Sequence, residues 1–373
     1  MPTHTEPPGG IGSDDRPTLA RWIDGAIARR WPDAHVTDIA TLKGDASNRR
    51  FWRVTLAAPS SRAGFDNAPT SAIAIDLGPD DLPTYVRALN LLPGPLTEPP
   101  FLNTQRFLKS IGSAVPDIYV ADAPQRMLLV EDVGETPLFE AALAPGAKPA
   151  SLYRIAIDEL LLIHVEGTRQ LDRRCVASSV AYDARLFRWE MNDFLALGAA
   201  AMTAQCDPAA LAPELDDLAT RLGALPRVLS HRDYHGHNLF VQGGPGGARI
   251  RVIDFQDALL APAAQDLAVL LTTRDTDRAI GPAAERRLLD YYLAGCARRG
   301  AACPDAALFA AGYRLCVLQH ALKVIGRFNA LERQGKRGYA AFIPHAIAQA
   351  RRMLAGPRMA EDFPQLRRAF DMA

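Results

Sequence analysis

His231-Arg232-Asp233-Tyr234-His235-Gly236-His237-Asn238, followed further on by Ile253-Asp254-Phe255-Gln256-Asp257, is the part of the sequence that decides the reading. Asp233 and Asn238 stand in the spacing D-x-x-x-x-N. Asp254 comes after two strand-like runs, Asn238–Gln242 and Arg249–Phe255, joined by Gly243-Gly244-Pro245-Gly246-Gly247-Ala248. β-type runs broken by such a Gly/Pro cluster predict a hairpin. The hairpin returns the chain so that Asp254 lies beside Asp233 and Asn238. Taken singly, Asp and Asn are ordinary turn residues; the ordered set with a strand on each side calls for a chemical reading.

Phosphoryl transfer wants this set of groups. The reacting phosphate is densely negative, so catalysis is mostly positioning and charge neutralisation. One carboxylate, Asp233, orients the acceptor hydroxyl and receives its proton. Asn238 and Asp254 offer hard oxygens to Mg2+ at the phosphates of ATP. H-R-D-x-x-x-x-N, a hairpin and an Asp together make the catalytic core of protein-kinase-like enzymes. The expected fold class is therefore α+β: a protein-kinase-like two-lobe fold, with a small antiparallel β N-lobe and a mainly α-helical C-lobe.

Working outward, residues 1–16 are polar and Pro/Gly-rich and are expected to form a disordered tail. An N-lobe with a leading helix follows at 17–133, and a helical C-lobe carrying the catalytic loop and acceptor site at 134–373. Leu19, Trp22, Ile23, Ala26 and Ile27 recur at helical spacing. Strand-like runs appear at Asn48–Leu56, Ser71–Leu77 and Met127–Glu131, with helices at Pro83–Leu92 and Pro99–Ile111 between them. Further helices are expected at Ser151–Val165 (with Ser151 as N-cap), Tyr182–Leu197, Ala209–Leu222, Ala263–Thr273, Pro282–Arg299, Pro304–Phe328 and Ile343–Leu354.

Composition narrows the function classes. With 373 residues the chain exceeds one compact core, and Lys+Arg and Asp+Glu are equal at 42 each. No global basic field draws nucleic acid or anionic lipid, so neither is an expected partner. Five cysteines without a C-x-x-C pair argue for reduced thiols rather than a disulfide framework or zinc ribbon. MPTHTEPPGGIGSDD lacks the pattern of a signal peptide, and no apolar run is long enough to span a bilayer. A cytoplasmic location is expected, with no membrane partner; the oligomeric state is left open.

Other segments fit a nucleotide site less specifically. The turn at Gly44, Asp45, Ala46 and Ser47, leading into Arg49-Arg50-Phe51-Trp52-Arg53, would lay backbone N–H groups over phosphates. With one glycine it matches neither G-x-G-x-x-G nor a Walker A loop, and a plain polar β-turn reads equally well. Met127–Glu131 runs into Asp132-Val133-Gly134, a hinge whose backbone groups at Glu131 and Val133 suit an adenine edge. A buried strand and turn is the plainer account. Asp266 reads either as an anchor for the catalytic loop or as a first-turn helix carboxylate. His164 reads as a satisfied core histidine. His231, His235 and His237 do not have zinc-ligand spacing; His231 is expected to pack beneath the loop and His235 to lie near substrate.

These residues together resemble the aminoglycoside phosphotransferase-like kinase family. Within it, the chain is similar to a group acting on the anomeric hydroxyl of cell-wall amino sugars. The resemblance runs from about residue 40 to 353. It rests on Gly44-Asp45-Ala46-Ser47-x-Arg49-Arg50-Phe51, Leu129-Val130-Glu131-Asp132-Val133-Gly134, Tyr182-Asp183-x4-Phe187-x2-Glu190-Met191, His231–His235, Asp254-Phe255-Gln256-Asp257-Ala258 and Gln319-x3-Lys323-Val324-Ile325-Gly326. It implies transfer of the ATP γ-phosphate to the C1 hydroxyl of N-acetylmuramate or N-acetylglucosamine in peptidoglycan recycling, with Asp257 and His235 as candidate sugar contacts. The same fold acting on an aminoglycoside, choline or homoserine, or a non-catalytic nucleotide-binding regulator, are the alternatives. One departure stands out. Ile73-Ala74-Ile75-Asp76 occupies the place of V-A-I-K, so Arg50 or Arg53 is expected to replace the absent lysine at the phosphates.

Overall fold

The computed structural model describes residues 15–42, 49–57, 68–78, 82–92, 94–198, 207–243, 247–274, 276–301 and 305–370. Gly44, Asp45, Ala46 and Ser47, and nearly all of the expected tail, lie outside the described residues. The chain divides into two compact units: residues 1–82 with 116–134, and 83–115 with 135–373.

In the first unit, the apolar stripe read at Leu19–Ile27 becomes the helix Asp15–Arg30. It covers a five-stranded antiparallel sheet of order β1-β2-β3-β5-β4, with β1 His35–Leu42, β2 Arg50–Ala57, β3 Ser71–Asp76, β4 Ile118–Asp122 and β5 Met127–Glu131. Trp22, Ile23, Ala26 and Ile27 pack on Trp52, Val54, Ala72, Ala74 and Leu129. Each large side chain buried there contributes roughly 1.5–3 kcal/mol. Trp22 Nε1 donates to Asp122 Oδ2 at 3.0 Å, so the buried indole keeps its hydrogen bond.

The second unit is mostly helical. The embedded hairpin forms as expected: β7 Leu239–Gln242 pairs with β8 Arg249–Val252. A second short ladder, β6 Arg227–Ser230 with β9 Leu259–Pro262, brackets the catalytic segment. Its strands of four residues carry too little pattern to read from sequence. The stretch 83–115, assigned by sequence to the first lobe, groups with the second unit, and the bonds show why. Ser113 Oγ and Ala114 N both donate to Glu159 Oε1, at 2.6 and 2.9 Å. Arg251 Nε and Val252 N donate to Ala114 O, at 3.0 and 3.1 Å, and the Phe101 ring lies 4.9 Å from that of Phe255.

Helix ends differ where local chemistry overrides periodicity. Ser151 is not an N-cap: the helix starts at Pro149, whose fixed φ suits a first turn, with Lys148 before it. It runs to Leu161 and widens into a π-turn over Leu162–Gly167. The stretch expected as one helix from Tyr182 begins only after Asp183, whose carboxylate caps Leu186 N at 3.0 Å. It ends at Glu190, and a separate π-turn covers Phe194–Gly198. The helix Ala306–Arg333 passes this turn so closely that a Cβ on Gly326 would collide with the backbone nitrogen of Phe194. Glycine is required there for backbone approach. This helix is the one described helix long and apolar enough to cross a bilayer, and 61% of its apolar window is buried in the fold, as in a core helix.

Candidate active site

β6 delivers the chain to His231 and Arg232, and a single buried carboxylate fixes the turn. Asp266 Oδ2 accepts from His231 N and Asp266 Oδ1 from Arg232 N, each at 2.8 Å. Asp266 is thus the loop anchor and not merely a first-turn acid. Arg232 sits at φ 78, a left-handed backbone that costs a non-glycine residue roughly 1–2 kcal/mol and persists because these bonds hold it. Asp266 is oriented in turn by His164, with Nε2 at 3.0 Å from Oδ2 and Nδ1 at 2.9 Å from Tyr292 OH. The π-turn carries His164 into this place, a common use of such turns. His164 is a satisfied core histidine, as read from sequence. His231 also packs beneath the loop, its Nε2 2.9 Å from Ile253 O.

Asp233, Asn238 and Asp254 come together as the hairpin requires. Asn238 Nδ2 donates to Asp233 O at 3.0 Å and to Asp254 Oδ2 at 3.4 Å. Asp254 adopts φ 64, and Gln256 Nε2 donates to its Oδ1 at 2.8 Å. The Asn238 amide nitrogen faces both the Asp233 carbonyl and the Asp254 carboxylate, and the two side chains are of the hard-oxygen kind. Mg2+ takes one or two protein oxygens and fills the rest of its shell from phosphates and water, so these residues fit that ion. The three loop histidines do not converge. His237 stacks on Phe139 at 3.9 Å and meets His235 only edge-on at 5.7 Å. Among the described residues no three His, Cys, Asp or Glu groups are arranged to hold a metal ion.

Behind Asp233 lies a charge network that sequence spacing did not reveal. Arg232 Nη2 meets Glu190 Oε1 at 2.7 Å and Nη1 meets Asp257 Oδ2 at 3.4 Å, while its guanidinium lies 4.0 Å from the Tyr85 ring centre. Glu190 Oε1 also takes Lys323 Nζ at 3.2 Å. Its Oε2 accepts from the Tyr182 hydroxyl and from Gln319 Nε2, the latter at 3.3 Å. Lys323 Nζ then reaches Asp233 Oδ1 at 3.8 Å. Burial by itself raises a carboxyl, but at Glu190 the charges of Lys323 and Arg232 and the Tyr182 hydroxyl prevail and hold it at about 2. At Asp233 burial is likewise outweighed, by Lys323 and then Arg232, and the carboxyl stays well below the usual range. Burial, with Arg274 nearby, pushes His235 well down and leaves it neutral.

The remaining sequence-expected residues lie in the first unit. Arg50 stands directly across β2–β3 from Asp76, with Nη2 at 2.5 Å and Nε at 3.0 Å from Asp76 Oδ2. Arg53 is paired with Asp132 at 2.7 Å and donates to Gly134 O at 3.3 Å. Glu131 N donates to Asp117 O at 2.8 Å, so Glu131 does not present its N–H outward. Val133, just beyond β5, is buried. Glu190, Gln319, Lys323 and Tyr85 were not named as site residues from sequence. Their one visible signal was that Tyr182…Glu190 and Gln319-x3-Lys323 carry the family resemblance, the latter at a spacing that puts both side chains on one helix face.

Comparison with known proteins agrees with this arrangement. A kinase named N-acetylmuramate/N-acetylglucosamine kinase from Caulobacter vibrioides is 31% identical over 335 residues, covering 86% of this chain and 89% of that protein. A kinase of the same name from Pseudomonas putida is 31% identical over 361 residues, 92% of this chain and 93% of that one. Among solved structures, a choline kinase from Cryptosporidium parvum matches with TM-score 0.57 at 13% identity, over 93% of this chain and 97% of that one. The choline kinase LicA from Streptococcus pneumoniae matches with TM-score 0.53 at 15% identity, over 92% and 99%. At that identity the two structures speak for the protein-kinase-like fold alone. The model of the phosphotransferase enzyme family, APH, matches residues 85–303, more than half of the sequence and the whole of the segment that holds Asp233, Asn238 and Asp254, and the chain belongs to that family of kinases.

Proposed function

We propose that the chain transfers the γ-phosphate of ATP to the C1 hydroxyl of N-acetylmuramate and N-acetylglucosamine, as a step of peptidoglycan recycling in the cytoplasm. The observation that carries this is Asp233, ionised and about a third exposed, braced by Lys323 at 3.8 Å and tied through its own carbonyl to Asn238. The relatives' names supply the sugar; the site supplies the chemistry.

In the step, the C1 oxygen forms a bond to the γ-phosphorus while the bond from that phosphorus to the bridging oxygen breaks. The electron pair leaves on ADP. The C1 hydroxyl proton passes to the Asp233 carboxylate. A carboxyl held so low is a weak base, so Asp233 mainly aims the hydroxyl and takes the proton late; an anomeric hydroxyl, more acidic than an ordinary alcohol, suits it. Asn238 and Asp254 would hold Mg2+, which supplies charge neutralisation at the transferring phosphate. Asp257, fixed by Arg232, and His235, neutral and beside Asp233, are the proposed sugar contacts. The Glu131 carbonyl and Val133 N–H are proposed for the adenine edge, and the turn at Gly44, Asp45, Ala46 and Ser47 for the phosphates. Arg50, aimed by Asp76 much as the usual kinase lysine is aimed by a glutamate, is proposed to replace that lysine.

Phosphorus NMR of the product after incubation with Mg-ATP and either sugar tests the reading. A phosphate coupled to the anomeric proton is expected. No ADP with either sugar, alongside turnover of choline, homoserine or an aminoglycoside, would move the acceptor elsewhere.

A further inference from the structure

The short helix Thr84–Ala88 begins after Pro83, and its second residue, Tyr85, packs into the charge network behind Asp233. Tyr85 is 4% exposed. The Arg232 guanidinium lies 4.0 Å from its ring centre, and the Trp189 ring is 6.4 Å away, centre to centre. All of these residues belong to the second unit. The ring is thus held by its faces, and the hydroxyl takes no part in holding it. Among the described residues that hydroxyl meets no hydrogen-bond partner, yet it does not belong to the polar atoms sealed from water. A buried tyrosine normally finds a partner for its O–H, so this one is left for a ligand or water to satisfy.

The charges around the hydroxyl are those of the catalytic turn. Burial pushes the phenol up; Arg232 opposes this, and Asp257, Asp233 and Glu190 add to it. The group therefore stays protonated, with one proton to donate. The charged donors nearby are already engaged. Arg232 is shared by Glu190 at 2.7 Å and Asp257 at 3.4 Å, and its Nε is sealed away. Lys323 is shared by Glu190 at 3.2 Å and Asp233 at 3.8 Å. Carboxylates accept hydrogen bonds and do not donate them. Such a site takes the hydroxyl protons of a sugar readily, but an acceptor-only group on the sugar needs a different partner.

We infer that Tyr85 is a specificity-determining residue of the acceptor site, its hydroxyl donating to the carbonyl oxygen of the sugar's N-acetyl group. The inference rests on the amino-sugar reading above and adds what recognises the acetamide. That group sits on C2, next to the C1 hydroxyl that Asp233 aims, and its carbonyl oxygen only accepts. An uncharged donor among acids suits it, and a site built for such a bond disfavours an analogue that leaves its buried donor unpaired. The acetamide is common to N-acetylmuramate and N-acetylglucosamine, so both sugars depend on Tyr85 alike.

Two measurements test it. Tyr85→Phe keeps the ring beside Arg232 and removes only the hydroxyl. It should lower kcat/KM for both sugars by the same factor, about 5- to 50-fold, the worth of one hydrogen bond to a buried group. The KM for ATP and the midpoint of thermal unfolding should stay at the wild-type values. An unchanged kcat/KM, a loss on one sugar alone, or a loss accompanied by a lowered midpoint would overturn the assignment, the last by making Tyr85 a prop for Arg232. In the second measurement, N-acetylglucosamine labelled with 13C at the acetamide carbonyl is bound to each protein. Its carbonyl resonance should move downfield on binding the wild type, as a hydrogen-bonded carbonyl does, and return toward the free position in Tyr85→Phe. The same bound resonance in both proteins would overturn the contact. If the wild type bound the sugar without turning it over, the kinase reading would fall while this resonance still judged Tyr85; if it bound neither sugar, both would fall.

Discussion

Two arginines, Arg232 and Arg50, are each held by a carboxylate, and the contrast between them separates a buried scaffold from a proposed phosphate contact. Arg232 has a side chain 9% exposed and is shared among Glu190, Asp257 and the Tyr85 ring. Its two terminal nitrogens are engaged by these carboxylates while Nε finds no partner, so it is a strut beside the left-handed turn before Asp233. Arg50 has a side chain 37% exposed and is aimed chiefly by Asp76. A half-exposed pair contributes little to stability, about 0–1 kcal/mol, but keeps the guanidinium near solvent and able to meet a phosphate. The same ion pair thus does different work according to burial.

Breaking the buried side should cost most. Glu190→Gln leaves Arg232 and Lys323 without their shared carboxylate, and loss of one partner of a buried pair costs about 3–5 kcal/mol. Thermal unfolding should show a correspondingly lowered midpoint. Glu190 is depressed from 4.5 to about 2, so its contribution is fully present above 4.5 and is lost as pH falls toward about 2. The variant should lack that acid-range loss; a stability curve that fell as the wild type does across this range would assign it to other carboxyls.

Lys323→Met should come next. Removing the charge that holds Asp233 down raises that carboxyl, so the base is protonated at higher pH and the acid limb of kcat/KM moves upward, by about one unit or more. An unmoved acid limb would uncouple Lys323 from Asp233. The smallest effect on the fold is expected at Arg50. Arg50→Ala should change stability by no more than about 1 kcal/mol and raise the KM for ATP by about tenfold, the loss of one charged phosphate contact. An unchanged KM and kcat in both Arg50→Ala and Arg53→Ala would remove the arginines as replacements for the missing lysine.

How much of this was legible follows the range of the interactions. The β7–β8 hairpin, β5 and the helix Ile343–Leu354 were readable because periodicity and Gly/Pro punctuation are local. β1 was not, because it is half-exposed along its length and alternates poorly. The membership of 83–115 was hidden because it is decided by Glu159 and Arg251, distant in sequence. The same limit applies to the site. Asp233, Asn238 and Asp254 sit in one hairpin and announce themselves by spacing. Glu190 and Gln319 meet across 129 residues, and no local pattern brings them together. Asp266 lay between: its type and helix position allowed two readings, and only the two bonds to the loop backbone decided for the anchor.

The central claim is that Asp233 receives the acceptor's proton from a loop otherwise built to bind. Turnover and ATP affinity of Asp233→Asn, measured on the same purified protein, test it most directly. The account predicts a loss in kcat of about 10²–10⁴-fold, the usual worth of a positioned base, with ATP binding nearly unchanged because the proposed metal ligands Asn238 and Asp254 are intact. Turnover comparable to the wild type would contradict it.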